Sequence, residues 1–180
     1  PSGPLTATTV QETVTGDLSV TDPTFNRTSG VSFNIGCITQ GDLSTVGTAV
    51  YYDVIEFTVT DAGVFDIEVM EFSSNIDDDS HLELYCNFNP ANAREQLIMS
   101  NDDGGDDFLS RLEDISLPVG TYYLVMTSFD NNETGAYSIQ FRSDNGNLVL
   151  GNNPVPVSIW WIAGLFALIA VGILVRKLFF

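Results

Sequence analysis

The chain has 180 residues, with six Lys plus Arg against 24 Asp plus Glu and a formal charge of −18. A nucleic-acid surface needs clustered cations to displace phosphate counterions, and five Arg and one Lys, with no basic patch before residue 176, exclude that class of partner. All the acids precede residue 145, so residues 1–158 carry four Arg, no Lys and a net charge of −20, and the remaining residues are physically a different object.

The opening PSGPLTATTV has neither a basic region nor an apolar stretch. An outward-facing N-terminus needs a secretory signal, so the expectation is that the numbering begins after its removal. Residues 1–21 form an extended N-terminal segment. Its Thr- and Val-rich part, LTATTVQETVTGDLSV, predicts one or two strands that complete the following domain or add to a neighbour's edge.

From residue 22 to 142 the apolar period is two, not 3.6. In YYDVIEFTV the set Ile55, Phe57, Val59 alternates with Val54, Glu56, Thr58; in GVFDIEVMEF, Phe65, Ile67 and Val69 alternate with Asp66 and Glu68. Asp61-Ala62-Gly63 predicts a tight turn between them. HLELY, QLIMS, SRLEDISL, GTYYLVMTSF and GAYSIQF repeat the pattern between Gly, Asn, Asp and Pro, and Pro90 to Glu95 is the one window open to a helix. The fold class expected is all-β, an antiparallel, jelly-roll-like sandwich with one core. Cys37 and Cys86 are the only cysteines, and in an oxidising exported location they predict one disulfide rather than two buried thiols.

Twelve of the 24 acids fall between residues 71 and 114. Asp77-Asp78-Asp79 precedes HLELY, and Asn101-Asp102-Asp103-Gly-Gly-Asp106-Asp107 comes after QLIMS. If those strands pair, both loops meet at one end of the sheet. Close carboxylates repel in a partly dry site, and a hard divalent cation with oxygen ligands removes that cost, so calcium is the expected cofactor. The alternative is a solvated acidic loop that keeps an exported domain soluble. The order of ligands is not that of an EF-hand. Glu133, in the polar turn after Asp130-Asn131-Asn132, is expected to be exposed.

Residues 143–158, SDNGNLVLGNNPVPVS, are read as a stalk. After them Ile159 to Val175 run for 17 residues without a charge and are closed by Arg176 and Lys177. At the helical rise this covers about 25 Å, so residues 159–180 predict a transmembrane helix with a short basic tail. Trp160 and Trp161 sit where amphipathic rings favour the headgroups, and the basic pair places the acidic part outside: a single-pass protein with an extracytoplasmic N-terminal domain and a cytoplasmic C-terminus.

Several motifs in order, DPTFNR, YYDVIEFTV, HLELYC, FNPANA, LIMSNDDGG, Ser110-Arg111, LPVGTYYLVMTSF and TGAYSIQF, resemble the bacterial pre-peptidase C-terminal domain over about residues 22 to 142. The resemblance implies a calcium-dependent β-sandwich without catalysis of its own. It implies Asp102 and Asp103 as the leading ligands, with Asn101, Asp106 and the Asp77 to Asp79 loop behind them. That family usually accompanies a larger catalytic domain, which this sequence lacks. The tail, with Val155-Pro156 before an apolar helix and basic residues, resembles the C-terminal sorting signals of exported bacterial proteins.

His81 is the single histidine, and its position at the start of a strand beside an acidic loop reads as a strand-edge residue, or one supporting the ligands from behind, rather than a catalytic base. Clustered Asp in Gly-rich loops suits a cation better than a separated glycosidase pair, and one His with two bridged Cys leaves no ligand set for zinc. The reading is therefore a non-catalytic, calcium-stabilised surface module, anchored in membrane lipid and binding a protein or surface glycan. The alternative is a structural subunit of a membrane complex or filament, using helix packing and N-terminal strand exchange.

Overall fold

The computed structural model describes residues 10–31 and 36–151. The predicted helix with Trp160, Trp161, Arg176 and Lys177, and the part of the predicted stalk beyond Gly151, lie outside the described residues. Ten strands succeed one another: β1 Val10–Leu18, β2 Thr24–Phe25, β3 Val50–Asp61, β4 Gly63–Ser74, β5 Ser80–Tyr85, β6 Leu97–Asn101, β7 Arg111–Leu117, β8 Gly120–Ser128, β9 Gly135–Ser143 and β10 Asn147–Leu150. Every strand pairing is antiparallel. One sheet has the order β1-β9-β4-β7 and the other β10-β3-β8-β5-β6, with β2 on β3. Among the described residues there is no helix, and Pro90 to Glu95 form turns.

The alternating apolar residues form the core between the sheets. Ile55, Phe57 and Val59 of β3 meet Phe65, Ile67 and Val69 of β4, all at most 3% exposed. The strands that supply them do not pair, however: β3 belongs to the larger sheet and β4 to the smaller. The expected tight turn at Asp61-Ala62-Gly63 is thus a corner between layers. Both faces must be apolar inward for that, which a simple hairpin in one sheet also satisfies, so periodicity alone does not separate the two.

In the smaller sheet two bulges interrupt the alternation. In β4 the register shifts after Val69, so that Phe72 rather than Glu71 turns inward and Met70 is left outside. Opposite Asp66 the second bulge spaces the inward residues Leu112 and Ile115 of β7 three apart, with Asp114 in the left-handed region at φ 53°.

Both sheets use residues outside 22–142. β1 pairs along its whole length with β9, from Val10 opposite Ser143 to Leu18 opposite Gly135, and so completes its own sandwich. β10 joins the edge of β3.

Around β5 and β6 the larger sheet is buried on its other face too. All six residues of β5 are buried. The cover comes from residues between β2 and β3 and from the β5–β6 connection, and it stitches to the β6 edge through Val31 opposite Ser100 and Ile38 opposite Leu97. Under it Phe25, Tyr52, Tyr85 and Phe88 pack with ring centroids 5.0–5.4 Å apart. The Cys37–Cys86 disulfide pins the cover to the end of β5, closing a sequence separation of 49 with Cα atoms 5.7 Å apart.

Candidate functional site

Strand register decides where the acidic loops lie. β5 pairs with β6, Leu82 opposite Asn101, and with β8, Ser80 opposite Ser128. The start of β5, the end of β6 and the end of β8 therefore share one end of the sheet, and so do the loops attached to them. Three loops meet there: residues 75–79, 102–110 and 129–134. Backbone bonds zip the first to the third, with the Phe129 amide donating to Asp79 O at 3.0 Å, the Asn75 amide to Thr134 O at 2.9 Å and the Thr134 amide to Asn75 Oδ1 at 2.7 Å. The Ser80 amide ties the second loop by donating to Phe108 O at 3.2 Å. Gly104 lies so close to the start of β7 that a Cβ there would stand 2.5 Å from Arg111 O, which is why the acidic run carries a glycine at that point.

The charges gather on Asp79. Burial pushes its carboxyl up to about 7, helped by the negative charges of Asp103, Glu133, Asp77 and Asp102. Burial also raises Glu133, with Asp77 adding to it against the hydrogen bond from Ser74. Far from being exposed, Glu133 has no accessible surface. The burial has a physical cause: the turn is polar because it docks on another polar loop, not because it faces water. Asp78 holds a left-handed backbone at φ 62° and is fixed locally, accepting from the Ser74 amide at 2.5 Å.

Of the residues expected to bind metal, Asp77, Asp102 and Asp103 are brought within electrostatic reach of Asp79. Asn101 ends β6, with its amide against Gly104. Asp106 lies to one side, where with Asp77, Asp78 and Asp107 it rims a groove of about 370 Å³ that also contains the exposed Met70 and Phe108. Among the described residues, no three His, Cys, Asp or Glu side chains are already gathered as an ion cage.

A second polar cluster is wholly buried, under the cover. Glu83 Oε1 accepts from the Thr28 amide at 2.6 Å and Thr28 Oγ1 at 2.5 Å, and Oε2 accepts from the Tyr85 hydroxyl at 2.5 Å. Burial works to raise the Glu83 pKa, but His81, Thr28 and Tyr85 outweigh it and hold the group below its ordinary value. Arg27, 1% exposed, donates from Nε and Nη2 to Phe129 O at 3.0 and 2.9 Å and from Nη1 to Thr28 O at 2.8 Å, with its guanidinium 4.4 Å from the centre of the Phe129 ring. Burial lowers the Arg27 pKa, while Glu83, Asp102, Asp79 and Asp130 act to raise it. His81 is not at a strand edge: it lies between Arg27 and Glu83, with no accessible surface.

On the outer face of the smaller sheet, a groove of about 350 Å³ runs past Asp66, Arg111, Asp114 and Arg142. Arg111 pairs with Glu113 at 2.9 Å and Asp66 at 3.6 Å, and Arg142 with Glu68. Sequence reasoning passed over Glu133, Glu83 and Arg27, since their partners are 54 to 102 residues away in the chain. No family model matches the chain, and no curated protein is similar to it.

Proposed function

We propose that the protein is a non-catalytic binding module: a calcium-stabilised, jelly-roll-like sandwich of the pre-peptidase C-terminal type, displayed outside a membrane by its C-terminal helix. The observation that carries the reading is the convergence of three acidic loops at one end of the larger sheet, where Asp77, Asp102, Asp103 and Glu133 all act on Asp79. Like charges so placed oppose folding, and a hard divalent cation reverses the sign of that term. Its partner is a protein or a surface glycan, met by the loops at this end or by the polar groove of Arg111 and Arg142. The alternative, a subunit that lends its N-terminal strand to a neighbour, has less support because β1 is already paired along its length with β9.

An ion bound only to the folded state raises stability by RT ln(1 + [L]/Kd), about 2.7 kcal/mol at a hundredfold excess over Kd. Excess chelator should therefore lower the Tm of the full chain in detergent. Asp102→Asn together with Asp103→Asn should reproduce much of the loss, and a Tm indifferent to both calcium and chelator would overturn the reading.

A further inference from the structure

Glu133 has no accessible surface, and only one of its carboxylate oxygens has donors. Oε1 accepts from Ser74 Oγ at 2.5 Å and from the Asp79 amide at 3.3 Å. Oε2 is enclosed and has no partner, and Asp79 Oδ1, in the loop zipped to it, is enclosed and without a donor as well. Bare buried carboxylate oxygens are costly, because the charge has lost water and gained nothing in exchange. Arg27 is near enough for its charge to bear on Asp79, but its hydrogen bonds run to Phe129 O, Thr28 O and His81 Nδ1, and neither bare oxygen receives one. Oxygens closed to solvent in this way are open to a single ion or a water molecule, not to a partner's side chain.

We propose that Asp79 Oδ1 and Glu133 Oε2 are the inner ligands of a calcium ion, which thereby fastens the loop after β8 to the loop before β5. The proposal rests on the reading of the protein as calcium-stabilised and deepens it. It moves the seat of the ion from the Asn101 to Asp107 loop to the seam between the other two loops, with Asp77, Asp102 and Asp103 as the surrounding charge. The donor set is all oxygen and anionic, which suits a hard cation that takes six to eight oxygens, and it offers nothing soft for zinc. Ser74 holds the Glu133 carboxylate so that one oxygen is anchored and the other is free for the ion.

The test is calcium titration calorimetry with thermal melting on the full chain in detergent, after chelation. Wild type should bind calcium with a rise in Tm. Glu133→Gln keeps an oxygen for Ser74 and should weaken calcium binding by about tenfold or more, since affinity depends on ligand charge. Its metal-free Tm should equal or exceed that of metal-free wild type, because a bare buried charge has gone. Asp79→Asn should behave alike. A purely structural Glu133 gives the opposite pair of results: a lower metal-free Tm and an unchanged calcium increment. If both variants keep the full increment, the seat is elsewhere and the calcium reading stands. If wild type itself shows no heat and no increment, both fall.

Discussion

Tyr137 of β9 reaches across the sandwich and donates its hydroxyl to Asp53 Oδ2 of β3 at 2.9 Å, both residues being at most 7% exposed. The bond joins the two sheets at a point where the core is otherwise apolar. It also leaves a carboxyl in a dry place. Burial pushes Asp53 up to about 6, with Asp22 and Asp17 adding to it against the bond from Tyr137.

This burial gives stability a pH dependence of definite sign. Folded Asp53 keeps its proton up to about 6 and unfolded Asp53 only to its ordinary 3.8, so in that window the folded state binds more protons and its stability falls as pH rises. Above the window the full cost is about 3 kcal/mol. Asp53→Asn keeps an acceptor for Tyr137 and removes the charge. The variant should therefore be the more stable one at pH 8, and denaturant melts should show its advantage shrinking to nothing by pH 4.

Gly16 of β1 leaves room for the same tyrosine. A Cβ there would stand 2.2 Å from the Tyr137 hydroxyl oxygen, and the buried ring cannot move away without leaving Asp53. Gly16→Ala should cost about 1–3 kcal/mol as overpacking. Adding Tyr137→Phe should relieve part of that cost, so a double-mutant cycle with no coupling would refute the explanation.

Glu83 should be among the most sensitive polar positions. Glu83→Ala strands the buried Thr28 amide, at about 1–3 kcal/mol for an unsatisfied group, and takes one partner each from Thr28 Oγ1, which keeps Ser100 Oγ, and from the Tyr85 hydroxyl, which keeps Ala93 O. Glu113→Ala, at a side chain 54% exposed, should change stability by less than about 0.5 kcal/mol. The Glu83 carboxylate also acts with the opposite sign to Asp53. Its folded pKa is lowered, so its contribution is present above the ordinary carboxylate range and is lost as pH falls through the folded value.

The disulfide bears on the cover more than on the sandwich. Replacing Cys37 and Cys86 together with Ser should lower stability by up to about 4 kcal/mol in the chain-entropy account. Hydrogen exchange should quicken first at Val31, Ser100 and the other amides between cover and β6, while the β4–β9 ladder keeps its protection. Uniform loss of protection throughout would show that cover and sandwich are one cooperative unit.

Much of this architecture is legible in the sequence, because one buried face imposes alternation and alternation survives in plain letters: Ile55-Phe57-Val59 and Tyr137-Ile139-Phe141 are core residues as expected. The disulfide is legible too, since two cysteines allow one pairing. Bulges are not. Met70 sits where the letters continue a strand, and only the register of β4 against β9 shows that it is the extra residue. The meeting of Asp79 with Glu133 escapes for a related reason. Each looks like a solvated turn residue by itself, and what makes them neighbours is the pairing of β5 with β8, a contact across 54 residues of chain. His81 and Glu83 alternate with leucines just as exposed residues do, and the cover that buries them is built largely from irregular chain with no period to read.

That cover makes the molecule lopsided. Solvent meets bare strands along the outer side of β4, β7 and β9 with its paired arginines, while on the opposite flank stitched loops held by a sulfur bridge cover β5 and β6 and leave Glu56 of β3, Thr121 of β8 and Val149 of β10 in water. A ligand that reads a flat, ladder-like surface can approach on the first flank, and variation among the loops on the other can proceed without touching it.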